Sequence, residues 1–203
     1  MLRFDHVAVA AASLAEGVEW VETALGCSLA GGGQHPLMGT HNRLLGLGDL
    51  YLEVIAIDPD ADAPKHPRWF DLDNFSGKPR LTNWVAGCES LSAALTQSPP
   101  NTGEPVSLAR GDYRWKMAVP ADGKLPFSSA FPALIQWHGA LHPAKALPDN
   151  GIRLAQFEVR HPEAEALRQA LAPLINDPRI QISQGPAAMR ASFTTPHGTR
   201  VLE

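Results

Sequence analysis

The sequence predicts an α+β fold: tandem βαβββ units forming a curved, cup-like mixed sheet with the helices on the outside. Three observations carry this. The order strand, helix, strand, strand, strand occurs about three times, near residues 1–58, 80–140 and 152–203. Two of the helices follow a serine at matching places, Ser13 and Ser90. Pro-bearing connectors, 59–79 and 143–150, separate the units, and proline blocks helix interiors and central strands. The expected organisation is a domain over 1–147, made of the paired units 1–58 and 80–140 around the first connector. A third, partial unit at 150–203 packs on it.

Each element has its own signal. "LRFDHVAVA" (2–10) alternates and then runs apolar, as a half-buried strand does. Ser13 with Glu16 three residues later is a capping box, and Leu14, Val18, Val21 and Leu25 share one helical face. Gly26 is a reasonable helix stop. The glycines at 31–33 read as a loop. Two apolar strands, about 40–47 and 50–57, flank the turn signal "GLGD". The connector 59–79 is long enough that it should pack, through Trp69 and Phe70. "LTNWVAG", "EPVSLAR", "YRWKMAVP" and "FPALIQWHG" are strands of the second unit, and "ESLSAALTQ" is its short helix. In the third, "IRLAQFEVRH" is a strand and "PEAEALRQALAPLI" a helix with Pro162 in its first turn.

Composition narrows the function. Charged residues make up 19% of the 203 and apolar residues 44%, the balance of a globular chain. The net charge of −4, with no Lys/Arg run, argues against nucleic-acid binding. Cys27 and Cys88 are too few for a disulfide scaffold and read as ordinary thiols. No apolar run approaches the ~18 residues of a membrane span, and the start lacks a signal-peptide pattern, so a cytoplasmic protein without a membrane partner is expected. There is no H-E-x-x-H, G-x-S-x-G, dinucleotide fingerprint or P-loop.

"DHVAV", "GTHNRLL", "YLEVIAID" and "FPALIQW", in that order, resemble the glyoxalase-like domain of the vicinal-oxygen-chelate superfamily, which includes glyoxalase I, extradiol dioxygenases and bleomycin-resistance proteins. The resemblance implies paired units closing into a cup, within one chain or across a homodimer. It implies a divalent metal (Zn, Ni, Mn or Fe) held by the first and last strands of each unit. Carried over, His6 and Glu53 match one ligand pair, and Asn83 and Gln136 fall on the other. Asn and Gln are poor ligands for zinc-like ions, so His138, two residues beyond Gln136, is an alternative. A further pairing matches Gln156 and Glu203 of the third unit, 47 residues apart as His6 and Glu53 are.

Glu53 is the expected catalytic carboxylate, with His41, Asn42, Asn83 and Gln136 as substrate contacts. The plainer reading of Glu53 is an acid neutralised by Arg43 on the preceding strand. Trp84 and Trp137 should face away from the cup, and His66, His142 and His161 should lie in exposed turns. Two functions fit: an enzyme acting on a small oxygenated, 2-hydroxy carbonyl-like ligand, or a binding module of the same fold that sequesters it.

Overall fold

The computed structural model describes residues 1–203. The first unit consists of β1 (Arg3–Ala10), α1 (Leu14–Leu25), β2 (Ala30–His35), β3 (Thr40–Gly46) and β4 (Tyr51–Ile57). The second consists of β5 (Arg80–Gly87), α2 (Leu91–Leu95), β6 (Glu104–Arg110), β7 (Tyr113–Val119) and β8 (Ala133–Trp137). Together they form one eight-stranded sheet in the order β2-β3-β4-β1-β5-β8-β7-β6. Each unit places its first strand parallel to its last, and β1 pairs antiparallel with β5 at the junction. The halves are related by a pseudo-twofold, and the cup is assembled within one chain.

Both helices start as the serines predict. Ser13 accepts a hydrogen bond from the Glu16 amide and Ser90 one from the Ala93 amide. Those side chains satisfy amides that would otherwise lack a partner in the first turn. The glycine stretch is not a loop. It is the edge strand β2, on which Gly33, Gln34 and His35 lie opposite Asn42, His41 and Thr40 of β3.

A four-stranded sheet follows, from β9 (Arg153–His161), β10 (Ile180–Gln184), β11 (Ala188–Thr195) and β12 (Gly198–Leu202), in the order β10-β9-β11-β12. Two further helices, α3 (Pro143–Ala146) and α4 (Ala164–Leu171), flank β9 in sequence. This third segment has the element order of the others but not their strand order. Its first strand pairs in parallel with its second rather than its last. Its Phe157 packs with Phe4 and Trp84, ring centroids 5.5 and 5.9 Å away, on the convex side of the main sheet. Gln156 therefore belongs to a separate sheet, where it bonds Gln181, and Glu203 lies just past the end of that sheet's last strand.

The cup has its own apolar core. Ala10, Ile55, Val85, Met117, Ala133 and Ile135 meet a plug formed by the first connector, whose 3-10 turn Trp69–Asn74 buries Trp69, Phe70 and Leu72. Phe70 and Asp71 hold left-handed backbone angles (φ 60° and 54°), and the Asp71 amide donates to the Gly123 carbonyl at 2.9 Å. The concave face is thus largely filled by the protein's own side chains.

Three side chains differ from expectation. Trp137 lies on the cup side and donates its indole N–H to Asp5 at 3.0 Å. His142 is not a free turn residue, since its Nε2 is 3.1 Å from the same carboxylate. His161 is buried, its Nδ1 accepting from the Glu163 amide.

Candidate active site

At one end of the cup the apolar filling gives way to ionisable groups. Register places them in rows across the sheet. Glu53 on β4 is beside Ala8 on β1, which is beside Asn83 on β5. In the next row Tyr51 is beside His6, then Val85, then Ala133 on β8. His6 occupies the centre of the cluster. Its Nδ1 is 2.7 Å from Asp5 Oδ1, its Nε2 is 3.5 Å from Glu53 Oε2, and its ring stacks on Tyr51 with centroids 4.2 Å apart.

Asp5 reaches its neighbour because the β1–β5 register shifts between Phe4 and His6. The resulting bulge leaves Asp5 without a partner on β5 and re-aims its side chain. Its other oxygen takes the Trp137 and His142 contacts. On the far side of Glu53, the Asn42 amide donates to Oε1 at 2.5 Å, and Asn42 Oδ1 accepts from the Gly33 amide at 2.9 Å. His35 completes the cluster, with Nδ1 3.1 Å from the Thr40 hydroxyl and Nε2 3.5 Å from the Asn42 amide nitrogen.

All these groups are buried, so their charges depend on one another. Burial opposes ionisation of Glu53, but the His6 hydrogen bond, the His6 and His35 charges and the Asn42 amide outweigh it and hold the carboxyl at about 2. Burial also opposes a charged His6, yet the bonds to Asp5 and Glu53 raise its pKa. Asp5 is lowered against burial by His142 and His6. His6 is thus an imidazolium between two carboxylates. His35 differs: desolvation prevails, assisted by the charges of Arg110, His41 and His6, and brings it down to about 4, so it is neutral near pH 7. Burial keeps Tyr51 a neutral phenol.

The structure brings together His6, Asn42 and Glu53 of the predicted residues. Arg43 does not neutralise Glu53; its guanidinium turns back to the Asn42 carbonyl. His41 alternates to the other face of β3, where its Nδ1 is 3.8 Å from Asp58. Asn83 does face the cup, fully buried, and neither polar atom of its amide has a hydrogen-bond partner.

Gln136 does not face the cup. Its side chain accepts from the Leu91 amide at 2.9 Å and caps α2. The pseudo-twofold equates Ala8 with Val85, as it equates Ser13 with Ser90. The residue beside Val85 on β8, equivalent to Glu53, is therefore Ala133. His138 lies just past β8, its amide on the Arg114 carbonyl, and its side chain bonds nothing in the cluster.

The donor set does not fit the four-ligand metal centre implied by the resemblance. Only His6 and Glu53 are ligands of the usual kind. Asn83 brings a neutral amide, Ala133 brings nothing, and no three His, Cys, Asp or Glu side chains converge as a metal-holding group.

Asp5, His35, Tyr51 and Arg110 complete the site and were not singled out from sequence, while Trp115 and Trp137, expected in the core and facing away from the cup, line its cleft. The cleft above His6 and Glu53 is walled by Trp69, Phe70, Trp115 and Trp137, with Arg110 at its side. Its free volume is about 20 Å³, room for roughly one water molecule. The signal that existed was the glycine run. A Cβ on Gly32 would lie 2.0 Å from the Asn42 carbonyl oxygen, and one on Gly33 would lie 2.6 Å from Arg110 Cδ. Those glycines let Asn42 and Arg110 approach the edge strand.

No helix is long and apolar enough to cross a membrane. No curated protein matches the chain in sequence. Among solved structures, a hypothetical protein from Staphylococcus aureus superposes with a TM-score of 0.61 at 12% identity, covering 93% of this chain and 88% of that one. Methylmalonyl-CoA epimerase from Mycobacterium tuberculosis gives a TM-score of 0.43 at 20% identity, covering 68% and 88%. The family model described as "Glyoxalase-like domain" matches residues 4–175, from the first strand of the cup through α4. With that match over most of its length and the paired βαβββ cup, the chain belongs to the glyoxalase-like domain family of the vicinal-oxygen-chelate superfamily.

Proposed function

We propose that the cup is an acid–base site for a small carbonyl compound with a proton on the adjacent carbon, such as a 2-hydroxy carbonyl. The observation that carries this reading is the His6 imidazole held between Asp5 and Glu53 at the cleft. Glu53 takes the proton from carbon, and the C–H electron pair forms the new carbon–carbon double bond. The carbonyl π electrons move to oxygen, which takes the Nε2 proton of His6. The product is an enediol, with Glu53 and His6 both neutral. Returning a proton to either carbon regenerates a carbonyl compound, so the step exchanges or relocates hydrogen.

The two transfers support each other. The imidazolium is a main reason the Glu53 carboxyl stays near 2, far too acidic for an effective base at neutral pH. When His6 gives its proton to the substrate, that restraint disappears and the Glu53 carboxylate becomes more basic as it is needed. Asp5 does not touch substrate. It fixes the ring through Nδ1 and stabilises the charged form. The aromatic walls exclude water, which strengthens these interactions. The unpartnered Asn83 amide, in the same row as Glu53 with small Ala8 between them, supplies a donor and an acceptor to the same ligand.

Proton NMR in D₂O tests this with glycolaldehyde, glyceraldehyde, dihydroxyacetone, pyruvate and lactate. The protein should speed loss of the C–H signal beside the carbonyl for at least one compound. Glu53→Gln should slow that exchange about a hundredfold or more. Binding without exchange across the panel would leave the second reading, a sequestering protein, which the orphaned Asn83 amide also suits.

A further inference from the structure

We propose that Arg110 binds a carboxylate at the mouth of the cup, so that the ligand is a small anionic 2-oxo or 2-hydroxy acid. This rests on the reading of His6 and Glu53 as the reacting pair and adds what recognises the substrate's other end.

Arginines in this chain mostly have an evident structural occupation. Arg68, Arg153, Arg168 and Arg179 are ion-paired, and Arg43 and Arg114 bond backbone carbonyls. Arg110 and Arg160 bond no group in the chain, and Arg160 is exposed. Arg110 alone is a half-buried guanidinium without a hydrogen bond or ion pair. Its one directed contact is with the Tyr113 ring, whose centroid is 5.5 Å from Cζ. Guanidinium is a five-donor group, and none of these donors is used within the chain.

Its position gives those donors a direction. Arg110 lines the buried cleft with His6, His35 and Glu53. It also lines an open surface groove with Gly32, Gly33, Gln34 and Tyr113. It therefore stands between solvent and the acid–base pair. Room for its stem depends on Gly33, where any side chain would strike Cγ and Cδ.

Charge selects the ligand class. Asp5, His6 and Glu53 together carry one net negative charge, which repels an anion entering alone. A cation at the mouth offsets that repulsion and orients the anion away from Glu53. The planar guanidinium fork matches a carboxylate in two parallel hydrogen bonds. A single arginine fork satisfies the two oxygens of a carboxylate, whereas a phosphate presents more acceptors than one arginine can meet.

The test uses intrinsic fluorescence, because Trp69, Trp115 and Trp137 wall the cleft. Pyruvate and lactate are titrated against their neutral counterparts pyruvamide and lactamide, with inorganic phosphate as competitor. Both acids should bind more tightly than their amides, and phosphate should not displace them. Arg110→Ala should weaken acid binding about ten- to a hundredfold and amide binding less than about twofold. Added guanidinium ion should restore part of the loss. Arg110→Gln, checked for native circular dichroism, repeats the measurement with stem length kept. Equal loss for acids and amides, failure of the wild type to bind either acid, or displacement by phosphate overturns the proposal. Glu53→Gln separates it from the underlying reading: that variant should still bind the acids while losing C–H exchange. Exchange unaffected in Glu53→Gln sinks the acid–base reading alone, whereas unselective binding in Arg110→Ala sinks only the carboxylate assignment.

Discussion

The two halves of the cup share a topology and differ in chemistry. At equivalent positions the first half holds His6 and Glu53, and the second holds Asn83 and Ala133. On the cup face of the first half, Glu53, His6, Asn42 and the Gly33 amide form one connected hydrogen-bonded network. On the cup face of the second, the Asn83 amide is buried and unpaired. A symmetric scaffold can thus concentrate charge on one side and leave the other as a neutral wall with an open polar contact. Buried polar groups without partners cost stability, so Asn83 is better explained by a ligand than by folding.

The same side-chain change in each half breaks this comparison most directly. Asn42→Leu strands the Glu53 carboxylate and the Gly33 amide and should destabilise by about 3 kcal/mol. Asn83→Leu removes only an unmet pair of polar atoms and should be neutral or stabilising by about 1 kcal/mol while weakening ligand binding. Urea midpoints of both variants decide it. If Asn83→Leu costs as much as Asn42→Leu, the second half holds a network as essential as the first.

Acidity gives the next largest effect. The Glu53 carboxyl is lowered from 4.5 to about 2, so its stabilisation is complete above 4.5 and drains as pH falls toward 2. His6 is raised above 6.5 and has the opposite sign: its contribution is full below 6.5 and is lost as pH rises through the folded value. Stability should therefore peak between those limits. It should fall on the order of 1–2 kcal/mol between about pH 5 and pH 3 from Glu53 alone. Asn83→Leu should keep this profile, because the second half has no titrating group at the matching positions. A flat urea midpoint from pH 3 to 6 would contradict the charged network.

The smallest effect concerns Gln136. As the cap of α2, its replacement by Ala should cost about 1 kcal/mol in thermal or urea unfolding and leave ligand binding unchanged. A change in binding with no change in stability would return Gln136 to the cup.

These residues also show how far the sequence was legible. The resemblance joined His6 to Glu53, and Asn42, alternating with inward Leu44, falls on the inward face of its strand; both hold because those strands are long and regular. The same carry-over failed on β8. That strand is only five residues, and its register against β5 places Ala133, not Gln136, at the position equivalent to Glu53. Asp5 escaped because a bulge breaks the alternation that would turn it outward. His35 was hidden in a glycine run that looked like a loop, and Arg110 comes from a strand whose edge meets β2 only after the sheet curls.

That meeting of edges has a mechanical meaning. β2 and β6 end the sheet on either side and approach each other at Gly33 and Arg110, yet no ladder of backbone hydrogen bonds joins them. The ring is fastened by a clasp of side-chain contact, while every other neighbouring pair of strands around it is stitched. Parting the clasp sacrifices dispersion contacts and leaves all the ladders intact. In a cup already packed with its own aromatic rings, the seam is where space for a guest is cheapest to open, and the guanidinium sits on it.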